Sequence, residues 1–296
     1  MKKYLFLVAI GLLWGTQFVF IREAVASIPD VWVATGRAVC GALTLWGLCR
    51  LFHLSGQIRF WPIYAFIALV DATIPFLLIA WAQQRVDSSV SAVIMGMIPL
   101  LTLLFAPFVV SERLTAWGLL SVLVGFSGIW VLFAPQLLGF SGELLLWPLI
   151  AILASACCYA MGMLLVKRLT SEPSLIVARN ILSASALQLI IVTLFKDPHL
   201  HVAPWHAVSA VVMLGVFSTG LGYFVFMMLI AKSGPMFASM SNYLVPVVGF
   251  ILGSWLLAER PPATTLWALL LILLAVGLNQ YGQHRRYRMS HQAREA

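Results

Sequence analysis

Asp71 stands in the middle of FIALVDATIPFLLIAWAQ (residues 66–83), an apolar run whose nearest basic residues are Arg59 and Arg85. An ionised group among hydrocarbon is costly unless it faces water or a partner, so such an acid is a functional candidate by default. Pro75, four residues on, removes the backbone donor that the Asp71 carbonyl would take in a regular helix and predicts a kink there. An acid beside a helix break reads as a site for a substrate amine or a proton. A buried acid hydrogen-bonded to a neighbouring helix is the plainer alternative.

Arg37 and Arg179 each lie early within an apolar run. A guanidinium so placed binds a substrate carboxylate, or it snorkels or ties helices together. Its presence at corresponding places in the two halves of the chain favours the structural tie. Trp14 and Gln17 are three apart and share a helical face, as do Tyr159 and Met163, four apart. Trp81 with Gln84, Asn242 with Tyr243, and Tyr223 complete a candidate lining of apolar walls with a few polar groups, the composition a small-molecule site needs. Trp32, Trp61, Trp117, Trp147, Trp205 and Trp267 sit near run ends and read as interfacial anchors. Glu112 and Glu259, beside Arg113 and Arg260, read as interfacial ion pairs or helix-end contacts.

Other chemistry finds little support. The sequence contains no HExxH, GxSxG or GxxxxGK[ST] motif, so no enzyme activity is expected, and ATP cannot drive any work within this chain. His199 and His201 are isolated loop residues, and no metal site or cofactor is expected. Cys40, Cys49, Cys157 and Cys158 lie inside apolar runs without ligand spacing and read as packing residues.

The elements that must hold these residues are dictated by composition. Of 296 residues, 62% are apolar and 9% charged, against about 25% charged in soluble domains. The solvent for such a chain is a bilayer. Ten apolar runs, about 4–21, 31–51, 60–82, 88–110, 114–134, 144–166, 174–195, 205–230, 235–257 and 264–283, are long enough to span it as helices. They do not alternate polar and apolar residues as barrel strands would. With the N-terminus placed in the cytoplasm, twelve Lys and Arg fall inside, four outside and two within runs, accounting for all 18. The rule that positive loops stay inside then assigns both termini to the cytoplasm. The net charge of +8 is scattered between runs, so no nucleic-acid face is expected.

The chain repeats itself. PLLTLLFAPFVVSER (99–113) and PVVGFILGSWLLAER (246–260) both open on proline and close on Glu-Arg, 147 residues apart. Trp14 with Arg22 matches Tyr159 with Lys167, Arg37 matches Arg179, and Trp61 matches Trp205, at offsets of 142–145. The predicted fold is all-α: ten transmembrane helices in two five-helix units, residues 1–140 and 141–283, followed by a basic cytoplasmic tail, 284–296. An odd number of spans per unit makes the second enter the membrane upside down. Inverted repeats give the geometry of alternating access, with a site near the midplane where the halves meet.

This pattern resembles the drug/metabolite transporter superfamily, and within it the ten-helix EamA-type exporters. The resemblance is carried by LLWGTQFVFIREA (12–24), by the arginine of ATGRAVCGALTLW (34–46), and by the two Pro-to-Glu-Arg segments, and it covers about residues 4–283. It implies a multi-pass protein of the bacterial inner membrane that exports amino acids or related small metabolites as a secondary active transporter. Multidrug efflux and metabolite uptake are the competing functions. Trp14-Gly15 of the first unit becomes Tyr159-Ala160 in the second, so only pseudo-symmetry is expected in the cavity. Trp14, Gln17, Asp71, Trp81, Tyr159, Met163, Tyr223, Asn242 and Tyr243 are the expected cavity residues. Arg37, Arg179, Pro75, Pro99 and Pro246 are the expected structural or gating ones. The spacings Gly11-x-x-x-Gly15 and Gly249-x-x-x-Gly253 suit close helix packing within a monomer, or a weak homodimer.

Overall fold

The computed structural model describes residues 2–54, 61–110, 114–138, 145–166, 173–199, 202–226, 228–229 and 241–295; residues 2, 3, 242 and 284–295 are described by backbone only. Among them nine helices of 21–23 residues are long and apolar enough to cross a membrane. They are α1 (Tyr4–Val25), α2 (Asp30–Leu51), α3 (Trp61–Ala82), α4 (Ser88–Val109), α5 (Ala116–Leu137), α6 (Leu146–Val166), α7 (Ser174–Lys196), α8 (Trp205–Phe226) and the last, Ala263–Gln283. A shorter apolar helix, α9 (Ser241–Leu256), precedes that last one, α10, which continues as helix to Glu295. The described residues contain no strand. The Glu112-Arg113 pair and the residues at 235–240 that open the expected ninth run lie outside the described residues.

The two halves interleave. α1 packs on α9 and α6 on α4; α2 packs on α8 and α7 on α3; α3 packs on α6 and α8 on α1; α2 faces α7, and α5 faces α10. Exchanging α1–α5 for α6–α10 leaves this set of contacts unchanged. That is the signature of two inverted five-helix repeats about a pseudo-twofold axis. The helices of one half bury their apolar faces largely against the other.

Glycines set the tightest seam. A Cβ on Gly11 would stand 2.6 Å from Leu244 Cβ, and one on Gly15 would stand 2.6 Å from Val248 Cβ. A Cβ on Gly249 would collide with Ala92 of α4. Both small-residue motifs therefore join α1, α9 and α4 within the monomer, where missing side chains allow backbones to approach.

The kink expected at Asp71 takes a particular form. Residues Leu69–Thr73 make a π-helical turn, with the Ile74 N–H bonded to the Leu69 carbonyl. Pro75 follows at once and cannot donate, so the helix accommodates by widening rather than by a simple bend. α8 carries a second π-helical stretch, Leu214–Leu221, that starts 145 residues after the first. No proline lies in it; Gly215 and Gly220 do, and both are pressed against α2. The widened turns thus repeat with the fold, although their local causes differ. Pro99 opens the second segment of α4, Ile98–Val109, after a break at Gly96-Met97, whereas Pro246 lies inside a continuous α9.

Candidate substrate site between the halves

The two widened turns bring polar groups to one place. Asp71, on the first of them, is 5% exposed and receives a hydrogen bond from Tyr223 Oη of α8 at 3.3 Å. Among the described residues no cation pairs with it. Gly162 of α6 lies so close that a Cβ there would collide with the Asp71 carboxyl group. The acid therefore sits between helices of both halves, held by a tyrosine from one helix and seated on a glycine of another.

Arg37 lies on α2 and is 6% exposed. Its Nε donates to Thr219 Oγ1 at 3.0 Å, and its Nη2 donates to Gln17 Oε1 at 2.8 Å. Its guanidinium carbon stands 3.9 Å from the Phe76 ring centroid, within cation–π range. The Thr219 hydroxyl in turn donates to the Leu214 carbonyl at 3.1 Å, inside the widened turn of α8. Tyr159 is in hydrogen-bonding reach of Arg37, and both Tyr159 and Tyr223 lie in the combined field of Arg37 and Asp71. The two phenols thus share the field of the guanidinium and the acid.

Aromatic rings close one side. Trp14 meets Tyr223 edge-on at 6.4 Å between centroids and Phe226 at 4.9 Å. Gly222 leaves room for it, since a Cβ there would stand 2.6 Å from the indole nitrogen. The result is a partly buried hub with one acid, one guanidinium, two phenols and an indole.

Of the expected cavity residues, the fold gathers Trp14, Gln17, Asp71, Tyr159 and Tyr223, and adds Arg37. Trp81 stands apart, ten residues or about 15 Å along α3 from Asp71, with its ring 5.7 Å from the Arg85 guanidinium. Tyr243 donates its hydroxyl to the Val276 carbonyl of α10 at 2.8 Å. Met163 is 43% exposed on α6, and the side chain of Asn242 lies outside the described ones. Arg179 is likewise elsewhere, 4.3 Å over the Trp46 ring, with Nε and Nη2 both directed at Asn180 Oδ1 at 3.1 and 2.9 Å. It ties α2 to α7, so the two repeated arginines have different surroundings.

Sequence reasoning did not find Gly162, Thr219 or Phe76. Gly162 stands 145 residues after Gln17, the offset of the Trp14–Tyr159 pair, so the repeat itself pointed to it. A second polar set mirrors Arg37 and Thr219: Thr73 Oγ1 lies 2.9 Å from Ser185 Oγ and 2.6 Å from Gln188 Oε1, and Gln188 Nε2 donates to the Ala65 carbonyl at 2.8 Å. In each half, a threonine of the widened turn is held by a polar side chain from the second helix of the other half. Such bonds between membrane helices contribute about 0.6–2 kcal/mol each.

Comparison with known proteins agrees with this architecture. The sequence profile described as the EamA-like transporter family matches residues 1–134 and again 146–280. The chain is similar to the uncharacterized transporter YvbV of Bacillus subtilis, 25% identical over 94% of this chain and 91% of the relative. It is also similar to the uncharacterized inner membrane transporter YedA of Escherichia coli K12, 28% identical over 94% of this chain and 90% of the relative. A solved crystal structure at 18% identity superposes with a TM-score of 0.70, covering 96% of this chain and 98% of the other, and bears on the fold alone. The protein is a multi-pass membrane transporter, and it belongs to the EamA-like transporter family.

Proposed function

We propose that this transporter is secondary active, and that it exports amino acids or related small metabolites by alternating access across the bacterial inner membrane, with both termini in the cytoplasm. One observation carries the reading: Asp71 of the first half is hydrogen-bonded by Tyr223 of the second, within a hub that also holds Arg37. An acid and a guanidinium gathered with two phenols suit the ammonium and carboxylate groups of one small zwitterion. Because the contact crosses between the halves, their relative movement would remake it, which is how substrate binding would bias one packing over the other.

The test is efflux from proteoliposomes loaded with pooled labelled amino acids, with and without a pH gradient. Saturable loss of one or a few of them is expected, and it should be absent from liposomes bearing Arg37→Ala. A second reading is favoured by the Trp14, Tyr223 and Phe226 rings beside Asp71, since acid plus aromatic faces also suits an organic cation. Ethidium efflux without amino-acid efflux would select it, and net inward flux would select uptake. For orientation, a reporter active only in the periplasm should be silent when fused after Gln283.

A further inference from the structure

At the end of the bundle marked by Arg22 and Gln83, helix α4 begins without a cap of its own. Asp87 precedes it in extended conformation and makes no side-chain capping bond. The capping comes from the other half instead. Glu259, in the linker between α9 and α10, accepts hydrogen bonds from Ser88 N at 2.7 Å and Ser89 N at 2.9 Å, one on each carboxylate oxygen. These are two of the amides a helix start leaves unpaired, and the positive end of the helix dipole favours a carboxylate there.

The fit is close. A Cβ on Gly253 of α9 would stand 2.5 Å from Ser88 Oγ and 2.7 Å from Glu259 Oε2. Ser88, Ser89 and Gln83 are each fully buried. α1 closes the same end, where Arg22 Nη1 donates to the Gln83 carbonyl and Gln83 Nε2 donates to the Phe18 carbonyl at 3.2 Å. The hydroxyls of Ser88 and Ser89 are buried here without partners among the described residues. Closure therefore leaves polar groups unsatisfied that water would satisfy, so the closed end is opposed as well as held.

We propose that Glu259 is a gate latch. It closes the Arg22 end of the transport path by capping α4 from the opposite half, and it lets go when the transporter opens to that side. The inference rests on the alternating-access reading and is independent of the substrate. A hydrogen-bonded carboxylate on two amides is directional, so a small shift of α9 along α4 breaks both bonds together. The seam below it is lined by Gly249 and Gly253, where little side chain stands in the way of such a shift.

The experiment needs no substrate. The four native cysteines are replaced, Gln17→Cys reports access to the hub, and a membrane-impermeant maleimide is applied from each face of the vesicle in turn. Glu259→Ala is expected to raise labelling from the Arg22 side about tenfold and to leave or lower labelling from the opposite side. Glu259→Gln, which retains one acceptor oxygen, should fall between. Equal labelling of wild type and Glu259→Ala from the Arg22 side would overturn the latch, as would an equal rise from both sides, which is the mark of general loosening. As a check on folding, the thermal midpoints of the variants are measured in parallel. Should Glu259→Ala fail to fold, Glu259→Gln, which keeps the volume of the side chain, decides alone. Labelling of Glu259→Gln equal to wild type from the Arg22 side would then overturn the proposal.

Discussion

The side chain of Asp71 occupies the place that a side chain on Gly162 would need: a Cβ there would stand 2.5 Å from Asp71 Cβ and still closer to its carboxyl oxygen. The acid of the third helix is therefore seated on the bare backbone of the sixth. Gly162→Ala is expected to force α3 and α6 apart, at the 1–3 kcal/mol typical of overpacking. Its thermal midpoint should fall by a few degrees, and efflux per folded molecule should fall at least tenfold, because the displaced acid no longer meets Tyr223. Wild-type efflux from Gly162→Ala protein would show that Asp71 is not placed by this contact.

Tyr223 gives a finer probe of the same group. Tyr223→Phe removes the hydroxyl that donates to Asp71 while keeping the ring that Trp14 meets edge-on. A single hydrogen bond of this kind contributes about 1 kcal/mol, so folded yield should be nearly unchanged. Efflux driven by a pH gradient is expected to fall more than exchange at equal pH, and Asp71→Asn, which cannot ionise, should show the same split more strongly. Initial rates under both conditions, with substrate binding measured in parallel, decide it. Equal losses in both modes would reduce Asp71 to a structural acid.

These residues differ in how far the sequence disclosed them. Asp71 and Arg37 announced themselves because a charge inside an apolar run is too costly to stand there without a partner or a task. The ten-helix repeat was equally plain, since two Pro-to-Glu-Arg segments 147 residues apart require duplication. Grouping was harder. Trp81 shares a helix and an aromatic character with the expected lining, yet α3 runs it about 15 Å from Asp71, beside Arg85. A periodicity fixes a helical face and leaves open which end of the bundle that face meets. Gly162 and Gly222 carry no chemistry to notice, and their meaning appears only when Asp71 and Trp14 come to rest on them. The widened turn of α8 was hidden for a related reason. α3 signals its turn through Pro75, whereas α8 reaches the same geometry without a proline.

Arg37 joins three helices through a planar fork that a lysine cannot reproduce. Its Nε and Nη2 reach Thr219 and Gln17 at once while its face lies on Phe76. Arg37→Lys keeps the charge and loses at least one of these bonds, together with the flat stacking surface. A loss of about 1–3 kcal/mol is expected, since a buried acceptor is left without its donor. The thermal midpoint should drop, and Gln17→Leu, which removes one of the acceptors, should make the two substitutions less than additive. Strict additivity in that cycle would mean that Arg37 and Gln17 are not paired in the folded protein.

At the Arg22 end, stability should depend on pH through Asp87, which lies outside the membrane-spanning segments. Burial pushes its carboxyl above the usual carboxylate range, the nearby Glu259 pushes it further the same way, and Arg22 acts in opposition. An acid raised in the folded state binds its proton more tightly there than in the unfolded chain. Folding is therefore favoured by this group at pH below its ordinary value, about 4, and that contribution is lost as pH rises through the folded value. At neutral pH the ionised Asp87 works against the fold. Asp87→Asn has no charge to accommodate and suits the position before a helix equally well. The variant is expected to be more stable than wild type at pH 7.5, with the difference shrinking towards zero as pH falls to 4. Thermal unfolding of the detergent-solubilised proteins across that range measures it. A variant less stable than wild type at neutral pH would show that the Arg22 contact outweighs both burial and Glu259.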